Sequence, residues 1–162
     1  MVKVAINGFG RIGRASFKAL LARPGVEVVA INDLTDTATL AHLLKYDSVY
    51  GRYGKKVVGA KDALMVDGKK YPVFAQKDPS ALPWKDLKVD IVIECTGIFL
   101  DETGAGLHVK AGAEKVVLSA PGKADAIKTF VLGVNADKLK KTDKIISMAS
   151  CTTNCLAPVT DI

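Results

Sequence analysis

The sequence predicts an α/β fold, a doubly wound and mostly parallel sheet with an inserted antiparallel hairpin region. Short β-branched runs alternate with helix-like stretches along much of the 162 residues. A glycine-rich turn follows the first of these runs. The alternation stops between residues 47 and 85, where short strand-like runs flank the hairpin turn Asp67-Gly68.

The first unit places glycines where a strand gives way to a helix. The run Val4–Ile6 leads into Gly8, Gly10 and Gly13, and residues 14–21 have a helical pattern. Gly8 allows a tight turn, Gly10 lets the backbone approach a pyrophosphate, and Gly13 lets the helix pack closely on the strand. The spacing indicates a dinucleotide site of the Rossmann type, with a purely structural strand-to-helix turn as the alternative.

The second strand-like run carries an acid at its end. Residues 26–31 are followed by Asn32 and Asp33, and Asp33 lies 20 residues beyond Gly13. A dinucleotide fold places the acid that binds the adenosine ribose hydroxyls at about this distance. A carboxylate there would repel a 2′-phosphate, so we expect NAD rather than NADP. The alternative is that Asp33 only caps the next helix.

Composition bounds the classes of function. The net charge of +6 suits anionic ligands, but the lysines are scattered, so nucleic-acid binding has no specific support. No apolar run approaches the roughly 20 residues of a membrane span, and no signal peptide is evident. We therefore expect a cytoplasmic protein that does not bind membranes. Three cysteines without an export signal argue against a disulfide framework.

The remaining elements are expected to follow in order. We predict helices over residues 35–46 and 102–112, and strands over 57–58, 63–66, 71–74, 89–97, 115–118, 130–135 and 144–148. Ligands lie outside the carboxyl ends of parallel strands, so Thr96 and Gly97 should border the cofactor. His42 and His108 fall within the helices and are expected to be structural. Cys95 is expected to be a buried core thiol.

The stretch Ser150-Cys151-Thr152-Thr153 indicates nucleophilic chemistry. Cys151 follows a strand at the first turn of a helix, where the positive dipole end favours a thiolate. A thiolate that attacks an aldehyde gives a thiohemiacetal, a natural hydride donor to a nicotinamide. The neighbouring hydroxyls suit an oxyanion or a phosphate. Cys155, one turn on, is expected to be buried, and the cysteine pair without further ligands predicts no metal site.

Five motifs together resemble the phosphorylating glyceraldehyde-3-phosphate dehydrogenases, and the resemblance covers the whole chain. They lie at residues 7–14, 31–33, 94–97, 119–121 and 149–158. The resemblance implies oxidation of glyceraldehyde 3-phosphate, with NAD and inorganic phosphate, to 1,3-bisphosphoglycerate in glycolysis. It also implies a homotetramer for the full-length form.

Matching positions imply the site residues. Cys151 becomes the nucleophile, with its own backbone N–H in the oxyanion hole, and Ser150 and Thr152 become phosphate-site residues. Arg11 and Ile12 would contact the pyrophosphate, and Lys77, where the family often has Arg, would lie near the adenine. The implied NAD-binding set is Asn7, Gly8, Gly10, Arg11, Ile12, Gly13, Asp33, Lys77, Thr96, Gly97 and Ser119.

Two departures from the family pattern are evident. Met148 stands where the family usually has an asparagine, and family members are about twice as long. We expect a cofactor domain over residues 1–149 and the start of a catalytic domain over 150–162. The remainder would carry the activating histidine, the arginine that binds substrate phosphate and the asparagine that holds the nicotinamide.

Several expectations follow for the chain taken alone. Neither histidine is placed to act as the base, so the 162 residues should turn over negligibly. The last helix should expose Leu156, Val159 and Ile162. Two alternatives to the implied function are an erythrose-4-phosphate dehydrogenase and a non-catalytic fragment that binds NAD or RNA.

Overall fold

The order of strands in the sheet determines where a ligand can bind. A computed structural model describes residues 1–123 and 126–161 of the chain. Its large sheet has nine strands in the order β10-β11-β9-β8-β1-β2-β7-β6-β5, and a separate two-stranded ribbon pairs β3 with β4. Pairing is parallel from β10 to β7 and antiparallel from β7 to β5. The predicted fold class, including the inserted antiparallel region, is confirmed.

The bounds of the elements follow the predicted sequence of units. The strands are β1 (Val2–Asn7), β2 (Val26–Asn32), β3 (Tyr46–Asp47), β4 (Gly51–Arg52), β5 (Val57–Ala60), β6 (Ala63–Val66), β7 (Lys69–Phe74), β8 (Ile91–Glu94), β9 (Lys115–Leu118), β10 (Lys128–Thr129) and β11 (Ile145–Ser147). The helices are α1 (Arg11–Leu21), α2 (Thr37–Lys45), α3 (Trp84–Leu87), α4 (Glu102–Lys110) and α5 (Cys151–Thr160). Short 3₁₀ turns lie at Pro79–Ala81 and Ala136–Lys138.

Strand β1 lies at the point where the winding of the sheet reverses. Its neighbours are β2 on one side and β8 on the other, and both run parallel to it. The connections that leave the carboxyl ends of β1 and its neighbours therefore diverge and open a crevice between them. The glycine turn at residues 8–13 follows β1 at this point. The topology thus brings the predicted site to the usual ligand position of the fold.

Alternating residues of the central strands bury two cores. Ile6 of β1 packs with Phe17 of α1 and Leu40 of α2 on one face, together with the hairpin strands β5 to β7. Ala5, on the other face, packs with Trp84 and Val92. Burial on both sides explains why these strands have near-continuous apolar runs.

The strand predicted over residues 130–135 is wrong in position. The strand is β10, at Lys128–Thr129, and the chain turns immediately after it. The Val131 N–H donates to Asn135 Oδ1 at 2.8 Å, and Gly133 adopts a positive φ of 83°. Phe130 and Val131 are buried in this turn, so their apolar character reflects burial without a strand.

The sequence reading also missed two small elements, namely α3 and the β3–β4 ribbon. Each is held by contacts from elsewhere in the chain. Trp84, at the start of α3, is fully buried, and Tyr53 N–H, just after β4, donates to the Lys45 carbonyl at 2.8 Å. Within the described ranges, no helix is long and apolar enough to cross a membrane.

Candidate functional site

The larger of two neighbouring depressions lies at the carboxyl ends of β1, β2 and β8. This cleft, which we call the crevice, has a volume of about 570 Å³. Backbone from the glycine turn forms one wall, and the residues that follow β2, β7 and β8 form the others. The crevice is lined by Asn7, Gly8, Gly10, Asn32, Asp33, Leu34, Gln76, Lys77, Cys95, Thr96, Ile98 and Phe99.

The three glycines of the turn have different surroundings. Gly8 has a φ of +87°, and a Cβ there would lie 2.8 Å from Thr96 N, so a side chain would collide with the end of β8. A Cβ on Gly13 would lie 2.0 Å from the Gly8 carbonyl oxygen, because α1 packs directly on the turn. A Cβ on Gly10 would meet no atom within 4 Å. Gly8 and Gly13 are thus required by the fold, whereas Gly10 leaves open space beside the crevice.

Helix α1 begins without a side-chain cap. Its N-cap is Gly10, which has no side chain to accept from the free N–H groups of the first turn. These donors and the positive dipole end form a ready anion site beside the crevice. The Arg11 side chain points away, and its Nη2 donates to Ser48 Oγ at 3.2 Å. Ile12 is exposed and faces a second groove, described below.

Asp33 is anchored beside the glycine turn. Its Oδ2 accepts from the Phe9 N–H at 2.6 Å, and its Oδ1 accepts from the Thr35 N–H at 2.9 Å. Helix α2 is capped by Asp36, whose Oδ1 accepts from the Thr39 N–H. The alternative that Asp33 caps the next helix is therefore wrong. The carboxylate is held in one orientation with accepting capacity left towards the crevice.

A smaller groove lies on the other side of α1. Its volume is about 420 Å³, and it runs between the first turn of α1 and the first turn of α5. Ile12 and Ser119 lie on one side and Cys151 lies on the other. The groove is lined by Ile12, Ser16, Ile93, Val117, Ser119, Met148, Ala149, Ser150, Cys151 and Asn154. The predicted nucleophile therefore lies next to the predicted cofactor site.

The turn before Cys151 is held in an uncommon conformation. Ala149 has a φ of +63°, in the left-handed region that non-glycine residues rarely adopt. The Asn154 Nδ2 donates to the carbonyls of Met148 at 2.7 Å and Ser150 at 3.0 Å. The Ser147 Oγ accepts from the Ala149 N–H at 3.0 Å. Side chains on both sides of the turn thus determine where Cys151 lies.

The hydroxyls predicted for phosphate binding form a cluster at the start of α5. The Ser150 Oγ caps the helix by accepting from the Thr153 N–H at 3.0 Å. It lies 2.8 Å from the Thr152 Oγ1 and 2.7 Å from the Thr153 Oγ1. All of these side chains are exposed. The cluster offers hydroxyl and backbone donors to an anion outside the helix.

The three thiols differ in environment. Cys151 and Cys155 are exposed, so the expectation that Cys155 is buried is wrong: none of the described residues of α5 is buried. Leu156 and Val159 are exposed as expected, and Ile162 lies outside the described residues. Burial raises the pKa of the Cys95 thiol to about 11, partly offset by hydrogen bonds with Ser119 and Ser16. Cys95 is therefore a protonated thiol at neutral pH.

The remaining predicted residues have clear positions. Lys77 lines the end of the crevice near Asp33, and Gly97 has a φ of +74° beside Thr96. Arg11, Gly13, Gly97 and Thr152 line neither depression. Across residues 1–123 and 126–161, no group of three or more His, Cys, Asp or Glu side chains could hold a metal ion.

One cluster was not identified from the sequence. Glu94 is fully buried below the crevice, between Asn7 and Thr96, and His108 lies against it. The only sign of it in the sequence is an acid inside an otherwise apolar strand.

The fold and the crevice together define a class. A strand, a glycine turn that opens an uncapped helix, and an anchored acid at the end of the next strand form a dinucleotide-binding domain of the Rossmann type. Residues 2–102 match the family model described as "Glyceraldehyde 3-phosphate dehydrogenase, NAD binding domain". The chain belongs to this family, and NAD is the cofactor of the matched domain. The resemblance that the motifs indicated is confirmed.

Relatives of known identity match along the whole chain. Glyceraldehyde-3-phosphate dehydrogenases from Mycoplasma pneumoniae and Thermotoga maritima are 56% and 57% identical over 99% and 100% of the chain. The Geobacillus stearothermophilus protein of the same name is 56% identical over 97% of it. The matches cover 48%, 49% and 47% of these three proteins. The chain therefore spans about half the length of the curated relatives that it matches.

Proposed function

We propose that this chain is the cofactor-binding half of an NAD-dependent, phosphorylating glyceraldehyde-3-phosphate dehydrogenase, with Cys151 as the nucleophile. The observation that carries the proposal is the position of Cys151. The thiol is exposed at the first turn of α5, in a groove that it shares with Ile12 and Ser119 at the border of the crevice. A carbon bound to this sulfur would therefore face the cofactor site.

The crevice suits a dinucleotide in chemistry as well as in shape. The open space over Gly10 and the uncapped start of α1 suit the pyrophosphate, which the N–H groups of Arg11 and Ile12 would bind. Asp33 would accept from the adenosine ribose hydroxyls, and Lys77 would lie near the adenine. Asn7, Thr96, Gly97 and Ser119 complete the proposed set towards the nicotinamide. When bound, NAD supplies the hydride acceptor.

The chemistry of this chain's own residues begins at Cys151. The Cys151 thiolate attacks the aldehyde carbon of glyceraldehyde 3-phosphate, a C–S bond forms, and the carbonyl oxygen becomes an alkoxide. The Cys151 N–H and the dipole of α5 stabilise that charge. After hydride loss the carbon is a thioester. Inorganic phosphate then attacks the thioester carbon, the C–S bond breaks, and Cys151 leaves as a thiolate with 1,3-bisphosphoglycerate as the product.

Phosphate recognition is proposed for the hydroxyl cluster. Ser150 and Thr152 lie on either side of Cys151 in the chain, and their hydroxyls are exposed at a helix start. This arrangement supplies hydroxyl donors in addition to the dipole, which suits a phosphate beside the reacting carbon. His108 cannot activate the thiol, because it is fully buried and bonded to Glu94. His42 is exposed on α2 and packs on Tyr46.

The wider assignments follow from the family. We propose a division at residue 149, supported by the absence of buried residues along the described part of α5. Residues 150–162 would then begin a catalytic domain. The full-length form would be a cytoplasmic homotetramer that acts in glycolysis.

The test is NADH formation by the full-length protein. We expect a rate that requires glyceraldehyde 3-phosphate, NAD and inorganic phosphate together. Cys151→Ser should abolish this rate, and the matched control Cys155→Ser should retain it. A rate that does not depend on phosphate, or that survives Cys151→Ser, would overturn the proposal. Comparing kcat/KM for erythrose 4-phosphate separates the related dehydrogenase activity.

A further inference from the structure

We propose that Glu94 is a positioning residue for the dinucleotide crevice, acting through Asn7 and Thr96. The inference rests on the family's NAD site and concerns a residue that does not line that site. Glu94 is the last residue of β8, its side chain is fully buried, and the crevice lies directly above it.

All four accepting positions of the Glu94 carboxylate are used. Oε1 accepts from the Thr96 N–H at 2.6 Å and from the Thr96 hydroxyl. Oε2 accepts from Asn7 Nδ2 at 2.6 Å and contacts His108 Nε2 at 3.0 Å. Burying a carboxylate is costly unless it is fully hydrogen-bonded, and this one is.

The neighbouring tryptophan determines the proton position on His108. Trp84 Nε1 lies 3.0 Å from His108 Nδ1, and an indole N–H can only donate. His108 Nδ1 therefore accepts, and we assign the ring proton to Nε2. His108 Nε2 consequently donates to Glu94, and the 3.3 Å approach of Asn7 Nδ2 to His108 Nε2 joins two donors that share one acceptor. The carboxylate is stabilised by oriented donors on every side.

The same network continues under the other end of the crevice. Asn32 Nδ2 donates to Asn7 Oδ1 at 2.7 Å and to the Gln76 carbonyl at 3.0 Å. The Gln76 N–H donates in return to Asn32 Oδ1 at 2.9 Å. Through Asn7, Glu94 is therefore connected to the backbone beside Lys77. The network spans the ends of three neighbouring strands, β8, β1 and β2.

The consequence for the crevice is geometric. Asn7 precedes the glycine turn, and Thr96 is the residue against which Gly8 packs. A single carboxylate thus binds both walls and sets their separation. Replacing one oxygen of Glu94 by an NH₂ group opposes a donor to donors, either at Thr96 or at Asn7 and His108. The walls then lose their common anchor while the volume of the side chain is unchanged.

The test is a double-mutant cycle on NAD affinity in the full-length protein. We expect Glu94→Gln to raise the Kd for NAD about tenfold, and Thr96→Val, which removes one donor to Glu94, to raise it about fivefold. In the Glu94→Gln background, Thr96→Val should raise the Kd less than twofold further. Wild-type affinity in Glu94→Gln, or effects that simply multiply, would overturn the proposal.

A matched control separates positioning from stability. Asp36 also accepts from a threonine N–H and hydroxyl, those of Thr39, but it lies at the start of α2 and does not line the crevice. Asp36→Asn should leave the Kd for NAD unchanged. If Glu94→Gln does not fold, Thr96→Ser, which keeps the hydroxyl, should bind NAD about fivefold more tightly than Thr96→Val, and equal affinities would refute the role. Failure of the wild type to bind NAD would instead refute the cofactor assignment.

Discussion

The glycine turn allows stability and cofactor binding to be separated by two single-methyl substitutions. In Gly13→Ala the new Cβ would lie 2.0 Å from the Gly8 carbonyl oxygen, 1.0 Å inside the 3.0 Å limit that Cβ atoms essentially never cross. Helix α1 would have to move away from β1. Overpacking of this kind costs about 2–3 kcal/mol of unfolding free energy. We expect a fall of roughly 5–10 °C in Tm.

Gly10→Ala should have the opposite profile. Its Cβ meets no atom within 4 Å, and the φ of −71° is open to any residue. The unfolding free energy should change by less than about 1 kcal/mol, the cost of a poorer N-cap. The methyl group would occupy the space through which the pyrophosphate approaches, so the Kd for NAD should rise by about tenfold or more.

Two measurements on the full-length protein decide the matter. Thermal unfolding without cofactor ranks the variants for stability, and calorimetric titration with NAD ranks them for affinity. We expect Gly13→Ala to lead the first ranking and Gly10→Ala to show a binding defect without a folding defect. Normal NAD affinity in Gly10→Ala would refute the assignment of this backbone to the pyrophosphate. An unchanged Tm in Gly13→Ala would refute the close packing of α1 on the turn.

Three further predictions concern the acid, the thiols and the turn before α5. Asp33→Asn should lower the ratio of NAD to NADP affinity about tenfold, because it removes the charge that repels a 2′-phosphate; an unchanged ratio of Kd values would contradict this. Iodoacetamide at pH 8 should alkylate Cys151 and Cys155 but not Cys95, whose pKa of about 11 leaves roughly one thiol in a thousand ionised; mass spectrometry showing equal labelling would count against it. Asn154→Ala should lower kcat/KM about tenfold and leave the Kd for NAD unchanged, because it releases the carbonyls of Met148 and Ser150; an unaltered rate would show that the turn holds itself.

The sequence predicted those parts of the site that depend on local spacing. The turn over Gly8, Gly10 and Gly13 and the acid at Asp33 lie in two consecutive units, so their positions follow from strand and helix lengths. Cys151 was placed at the start of a helix for the same reason. In each case the signal and the structure are separated by only a few residues of chain.

Features that depend on distant packing were not predicted. Glu94 and His108 are 14 residues apart, and only the packing of α4 on the sheet brings them together with Trp84. The strand expected over residues 130–135 failed because apolar residues can be buried in a turn as well as in a strand. Cys155 is exposed because no described element packs on α5, which a residue type alone does not reveal.

The bare first turn of α1 has a consequence for the lifetime of the protein. A side-chain cap would stabilise such a helix by about 1 kcal/mol, and Gly10 forgoes it. The pyrophosphate then takes the place of the cap, so ligand-free protein is the more easily opened form. At a hundredfold excess over Kd, bound NAD adds about 2.7 kcal/mol to the unfolding free energy. Cells that run short of the dinucleotide would therefore hold a less durable protein, and abundance would follow cofactor supply without any dedicated regulator.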